Sequence, residues 1–140
     1  MTEKSDDLTK DGVVFAAWET PVADSDLALK FVRFDAEKQI LKAVFEDYDT
    51  RERISFTFAD CWTFRVLDER GLLELWHASS KTPRPSQTTF MVRGHTWQQE
   101  SPLEWISNCD EPYFSYMIAT SDDCLEVIAP ASPEIKMKSG

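Results

Sequence analysis

The stretch of sequence that decides the fold is residues 27–58, LALKFVRFDAEKQILKAVFEDYDTRERISFTF. It contains three apolar runs, 27–34, 40–48 and 53–58, joined by polar links short enough for hairpins. The last run alternates strictly between apolar and polar side chains, and this period of two is typical of a half-buried strand. Three such runs in succession predict an antiparallel meander.

Alternation also predicts which side chains of a strand share a face. In the first run, Leu27, Leu29 and Phe31 fall on one face, whereas Lys30 falls on the other. We therefore expect Phe31 to lie on the same side of the sheet as the two leucines.

Outside this stretch, the chain contains further strand-like runs and two helix-like segments. Leu72, Leu75 and Trp76 have the i, i+3, i+4 spacing of one helix face, although a strand over 72–76 is the alternative. Ser101 and Glu104 match a capping box at the start of a second short helix. The additional strands are predicted at 13–18, 61–67, 88–92, 113–120 and 125–129.

These elements predict an α+β fold. We expect a mainly antiparallel, strongly curved sheet, shaped as a half-barrel or barrel, with one or two short helices. The length of 140 residues and the hydrophobic content of 42% suit one globular domain over 12–135. Residues 1–11 are expected to form a flexible acidic tail, and residues 136–140 a polar tail.

Composition excludes several classes of function. With 25 acidic and 15 basic residues, the formal charge is −10, which argues against binding nucleic acid or an anionic membrane. Only four glycines occur, far apart, so no dinucleotide fingerprint or phosphate-binding loop is formed and no cofactor is expected. No apolar run reaches membrane-spanning length and the start lacks a signal-peptide pattern, so we expect a cytoplasmic protein.

No residue pattern declares a reaction. The three cysteines, Cys61, Cys109 and Cys124, show no metal-binding or redox spacing, and buried free thiols are expected. The two histidines, His77 and His95, are not spaced as metal ligands either. Adjacent carboxylates are common, but Asp at a turn has a structural role of its own. We therefore expect no catalytic residues and no metal site.

The charge is distributed unevenly along the chain. Residues 94–135, hereafter the acidic region, contain eight acidic residues and no lysine or arginine. Aromatic residues occur among these acids, and they include Trp97, Trp105, Tyr113, Phe114 and Tyr116. An acidic surface with aromatic anchors is suited to capture a basic protein, because charge speeds the encounter and buried aromatics supply affinity. A solvated face whose aromatics point into the core is the alternative.

Several segments together resemble a known group of proteins. They are FVRFD at 31–35, ISFTFAD at 54–60 with FRVLDE at 64–69, LLELW at 72–76, and YMIATSDD at 116–123 with LEVIA at 125–129. In these segments the chain is similar to small acidic bacterial proteins grouped with the immunity proteins of polymorphic toxin systems. This resemblance implies a cytoplasmic antidote that binds one cognate toxin and blocks it.

The leading hypothesis is therefore a non-enzymatic immunity protein that neutralises a basic toxin domain, such as a nuclease, through its acidic region. The expected partner-binding residues are Trp97, Glu100, Glu104, Asp110, Glu111, Asp122 and Asp123. The alternative is a small-molecule-binding domain or small enzyme with a pocket inside an aromatic-rich curved sheet, where His95, Tyr48 or Arg65 would supply polar groups. A structural subunit of a larger assembly is a third hypothesis.

Overall fold

A computed structural model describes residues 13–68, 88–95, 97 and 114–138. All elements in these segments are strands, and each strand pairs antiparallel with its neighbours. In chain order they are β1 (Val14–Ala17), β2 (Leu27–Asp35), β3 (Ile40–Asp47), β4 (Arg53–Phe58), β5 (Thr63–Asp68), β6 (Thr89–Arg93), β7 (Ser115–Ala119), β8 (Asp123–Ile128) and β9 (Glu134–Lys138).

The strands form two open sheets. A five-stranded sheet has the order β1-β6-β7-β8-β5, and a four-stranded sheet has the order β2-β3-β4-β9. The predicted meander is confirmed, because β2, β3 and β4 are consecutive neighbours within 27–58.

Side chains and unusual backbone conformations close the turns of the meander. Asp35 Oδ1 accepts hydrogen bonds from the backbone N–H groups of Glu37 and Lys38, which shapes the β2–β3 turn. Gln39 completes this turn with a positive φ of 55°, a region that costs energy for a residue with a Cβ atom. Asp47 shapes the β3–β4 turn in the same way as Asp35 shapes the first.

An irregularity in β2 changes the predicted faces. The β2–β3 register shifts between Leu29 and Phe31, as at a β-bulge. Leu29 therefore pairs with the core residue Phe45, whereas Phe31 pairs with Val44, which points to the opposite face. The expectation that Phe31 shares a face with Leu27 and Leu29 was wrong, because uninterrupted alternation cannot anticipate an extra residue.

The two sheets pack face to face around a shared core. Phe45, Phe56 and Phe58 of the four-stranded sheet are fully buried against Ile118 and Leu125 of the five-stranded sheet, within one apolar cluster. Aromatic rings make direct contacts between the sheets. Ring centroids lie 5.7 Å apart for Phe58 and Tyr116, and 5.4 Å apart for Phe34 and Phe64.

The predicted fold class was wrong. The described residues form two open sheets packed on each other, neither sheet closes into a barrel, and none of the described elements is a helix. Strands pair within two separate sets, so the curved single sheet is replaced by a sheet-on-sheet core. The helices expected over 72–76 and after Ser101 lie outside the described residues. Residues 136–138, expected in a polar tail, belong to β9, where Lys136 pairs with Ser55 of β4.

The outer face of the five-stranded sheet also carries apolar side chains. Val13, Phe90, Val92, Met117 and Cys124 form a second buried cluster on this face. Both faces of this sheet are therefore buried in its central strands, and any polar group there must find its partner within the protein.

Candidate functional site

A buried carboxylate lies on the outer face of the five-stranded sheet. Glu126 of β8 is only 1% exposed, although the residues on either side of it along the strand are apolar. Arg65 of β5 lies directly opposite in the antiparallel register, so the two side chains extend from the same face. The pairing of β5 with β8 thus brings together residues 61 positions apart in the chain.

The carboxylate is held by two basic side chains. Nε and Nη2 of Arg65 each lie 2.9 Å from Oε1 of Glu126, and Nε donates a hydrogen bond to it. Nε2 of His95 contacts the other oxygen, Oε2. We refer to Arg65, His95 and Glu126 as the polar cluster.

The chain turns back after β6 to place the histidine. Gly94 has a φ of 85°, a region that favours glycine, and the following residue His95 is fully buried against Glu126. Trp97 then packs on the cluster, with Arg65 Cζ 4.6 Å from its ring centroid and the His95 ring centroid 6.4 Å away. The guanidinium is thus held between a carboxylate and an aromatic ring, which suits both its charge and its flat shape.

Among the described residues, three buried side-chain polar atoms have no hydrogen-bond partner. They are Nε of Arg93, Nδ1 of His95 and Oγ of Ser115, and the last two residues are fully buried. Ser115 points to the same face as Met117 of the second apolar cluster, since the two residues are two positions apart on β7.

The geometry of the polar cluster favours positioning over catalysis. Both oxygens of Glu126 are engaged by Arg65 and His95, so the carboxylate is not presented to a substrate. Its arrangement instead joins β5, β8 and the segment after β6, and fixes the ring of Trp97. Half-buried Trp97 is consequently a pre-positioned aromatic side chain at the start of the acidic region.

The predicted partner-binding residues are distributed between described and undescribed segments. Trp97 lies on the polar cluster, and Asp122 and Asp123 are exposed at the β7–β8 turn. Thr120 Oγ1 accepts hydrogen bonds from both aspartate N–H groups and so orders this turn. No contact in the described part of the chain joins Trp97 to either aspartate. The remaining four, Glu100, Glu104, Asp110 and Glu111, lie outside the described residues.

Sequence reasoning missed a third carboxylate at the β7–β8 turn. Asp68, the last residue of β5, lies directly opposite Asp123 in the register and is also exposed. With Asp122, these residues place three carboxylates at one end of the β5–β8 pair. Their positions follow from the strand register, which no local motif reveals.

The alternative hypothesis also named residues that the structure now locates. His95 and Arg65 both contact Glu126. The three residues lie on the outer face of the five-stranded sheet and not in the space between the two sheets. Tyr48 is exposed beyond the end of β3, apart from both. Large side chains such as Phe45 and Phe56 fill the space between the sheets. The sequence analysis did not identify Glu126 as the residue that joins Arg65 and His95. Glu126 is the one acidic residue within the apolar run 125–128, and this pattern could have indicated it.

The described thiols are buried. Cys61 and Cys124 are buried and neither forms a disulfide, as expected for them, whereas Cys109 lies outside the described residues. Burial raises the pKa of the Cys61 thiol to about 11, so it stays protonated and weakly nucleophilic at neutral pH. Among the described residues, no group of three or more potential metal-ligating side chains is found, and no helix is long and apolar enough to cross a membrane.

Comparisons with known proteins find no relative. No protein-family model matches the chain, and neither a curated protein nor a solved structure does.

Proposed function

We propose that this chain is a non-enzymatic, cytoplasmic immunity protein that binds a basic toxin domain through its acidic region. The observation that carries the proposal is the uneven distribution of charge along the chain. Residues 94–135 hold no lysine or arginine, and they include β7 and β8 of the five-stranded sheet. Six of the ten lysines and arginines in the described residues lie on strands of the four-stranded sheet.

The exposed end of the β5–β8 pair supports this role. Asp68, Asp122 and Asp123 are brought together there by strand register and by the ordered turn at Thr120. The exposed carboxylates of Asp122 and Asp123 attract a basic surface and accelerate association. An ordered turn also loses less conformational entropy on binding than a mobile one.

Trp97 supplies the second element of the proposed interface. Interface affinity is concentrated in a few large side chains, and tryptophan is prominent among them. Here the indole is held by Arg65, which is itself fixed by Glu126. We infer that the polar cluster acts as a support that orients an aromatic anchor within the acidic region.

Co-expression tests the proposal. If the neighbouring reading frame encodes a large protein, its C-terminal domain is the probe, expressed in a bacterial host alone and together with this chain. We expect the domain to arrest growth alone, and the chain to restore growth and to co-purify with it. A toxic domain that neither binds this chain nor is neutralised by it would overturn the proposal, as would a neighbouring gene product without toxicity.

A further inference from the structure

The outer face of the four-stranded sheet is basic, in a protein with a net charge of −10. Register and alternation place six basic side chains on this face, which we call the basic face, and all six are exposed. They make up six of the ten lysines and arginines in the described residues. The six are Lys30, Arg33, Lys42, Arg53, Lys136 and Lys138.

Few carboxylates balance this charge. Glu46 lies 3.7 Å from Lys30 Nζ, and Glu134 lies 3.9 Å from Lys136 Nζ. No carboxylate of the described residues is within ion-pair distance of the other four basic residues of the face. Asp35, the last residue of β2, is a third acidic residue on this face by the same alternation. The basic face therefore carries a formal charge of +3, with six basic and three acidic side chains.

Like charges oppose each other directly across the strands. Arg33 pairs with Lys42 in the β2–β3 register, and Arg53 pairs with Lys138 in the β4–β9 register. Directly opposite like charges destabilise a sheet. Glu46 lies directly opposite Arg53 in the β3–β4 register, so the second pair is partly balanced. Arg33 and Lys42, in contrast, would be stabilised by an anionic ligand that neutralises them.

An exposed aromatic ring lies among these charges. The β2 bulge turns Phe31 outward, where it is 40% exposed, and Arg33 Cζ lies 5.4 Å from its ring centroid. A row formed by Phe31, Val44 and Ser55 crosses the face between the two like-charged pairs. The row spans strands spaced about 4.8 Å apart, with each flanking charged row about 7 Å away along the strands.

We propose that the basic face binds single-stranded nucleic acid. Single strands combine a repeated negative charge with bases that stack on aromatic and guanidinium groups, and an open sheet face can offer both features. Here Phe31 and Arg33 are the stacking pair, while Lys42, Arg53 and Lys138 contact phosphates. The net charge of the chain led us to exclude nucleic acid, but screening confines electrostatic influence to about 8–10 Å, so the local charge governs contact.

An acidic polypeptide is the competing occupant, and the aromatic ring favours nucleic acid over it. A carboxylate-rich segment is recognised by the lysines and arginines alone. An exposed Phe stacked beside an Arg adds a flat surface that matches a nucleobase. The proposal is independent of the proposed immunity function, because it uses the opposite sheet and none of the residues at the β7–β8 turn.

Fluorescence anisotropy of the full chain with a labelled oligothymidylate of about twelve nucleotides tests the proposal. We expect binding at low salt that weakens steeply as salt rises. Lys42→Glu should weaken binding at least about ten-fold, whereas Lys38→Glu should change it less than about two-fold. Lys38 is the matched control, since it is an exposed lysine in the β2–β3 turn outside the basic face.

Phe31→Ala distinguishes a site for nucleic acid from a site that binds any anion. Loss of stacking should weaken oligonucleotide binding about ten-fold while leaving binding of a labelled poly-glutamate peptide unchanged. The proposal is wrong if the oligonucleotide does not bind at low salt, or if Lys42→Glu and Lys38→Glu have equal effects. It is also wrong if poly-glutamate binds as tightly and Phe31→Ala has no effect, a result that would assign the face to acidic polypeptides. Circular dichroism melting confirms that each variant is folded.

Discussion

Arg65 and Glu126 face each other across β5 and β8, and the guanidinium approaches one carboxylate oxygen with two nitrogens at 2.9 Å. Glu126 is almost fully buried, so this ion pair lies in a low-dielectric environment. An intact buried pair adds little net stability, but removing one partner leaves an uncompensated buried charge. The positions of β5, β8 and Trp97 relative to one another therefore depend on the carboxylate of Glu126.

Glu126→Gln is expected to be strongly destabilising. The substitution keeps the shape of the side chain but leaves Arg65 without its counter-charge, which costs about 3–5 kcal/mol of unfolding free energy. Urea denaturation monitored by tryptophan fluorescence measures the loss. Glu134→Gln is the control, because Glu134 pairs with Lys136 at 3.9 Å on the exposed surface and should contribute less than about 1 kcal/mol. Equal losses of unfolding free energy in the two variants would show that the Arg65–Glu126 pair behaves as a solvent-exposed ion pair.

Alkaline pH should destabilise the protein partly through Cys61. The thiol's pKa is 9.0 when exposed and about 11 in the folded state, because burial disfavours the thiolate. The folded state therefore binds the proton more tightly, so this stability is complete below pH 9.0 and is lost as pH rises toward about 11. Over that window, the wild-type chain should lose on the order of 2 kcal/mol more than Cys61→Ala.

Urea midpoints at several pH values measure this difference. Cys124→Ala retains the Cys61 thiol and should keep the alkaline loss that Cys61 contributes. Tyr116, whose pKa burial also raises, is present in every variant and contributes equally to each. Parallel pH profiles for Cys61→Ala and the wild type would contradict the assignment.

The shared core between the sheets should dominate stability. Phe58 is fully buried and its ring lies 5.7 Å from that of Tyr116 on the facing sheet, so Phe58→Ala should cost about 3–5 kcal/mol. Phe31→Ala removes the same atoms from an exposed position and should cost less than about 1 kcal/mol. A large loss from Phe31→Ala would place that ring in a core and would contradict the bulge in β2.

The β2–β3 turn offers a stabilising substitution. Gln39 has a positive φ of 55°, where glycine is free of the steric cost of a Cβ atom. Gln39→Gly should therefore raise the unfolding free energy by about 0.5–1 kcal/mol, measured by thermal or urea denaturation. Glu37→Gly, in the same turn but without a positive φ, should be neutral or destabilising. A destabilising Gln39→Gly would argue against this turn conformation.

Local pattern predicted the strands well because each depends on nearby residues. The runs 27–34, 40–48 and 53–58 correspond closely to β2, β3 and β4, since polar turn residues bound them on both sides. The division of the strands between two sheets could not be predicted from local pattern. The pairing of β4 with β9, for example, joins Thr57 to Glu134, and no local signal encodes so distant a contact.

The candidate site shows the same division between local and distant information. Asp122 and Asp123 were predicted as exposed acids because a polar turn between apolar runs is a local feature. The polar cluster was not predicted as a unit, because Arg65 and Glu126 meet only through strand register. The basic face was not predicted, for a similar reason. Its residues come from four strands, and a charge averaged over the chain conceals their common side.

The affinity of this chain for the neighbouring gene's toxin domain tests the central claim most directly. Affinities are measured at about 50 mM and about 300 mM salt for the wild type and two double variants. The test variant is Asp122→Lys/Asp123→Lys. The control is Asp24→Lys/Asp26→Lys, which makes the same charge change at two exposed acidic residues outside the acidic region. We predict that wild-type affinity falls with salt through slower association, and that the first variant loses at least about ten-fold at low salt while the control loses less than about two-fold. Equal affinities for the two variants, or a wild-type affinity insensitive to salt, would contradict the claim that the acidic region binds the partner.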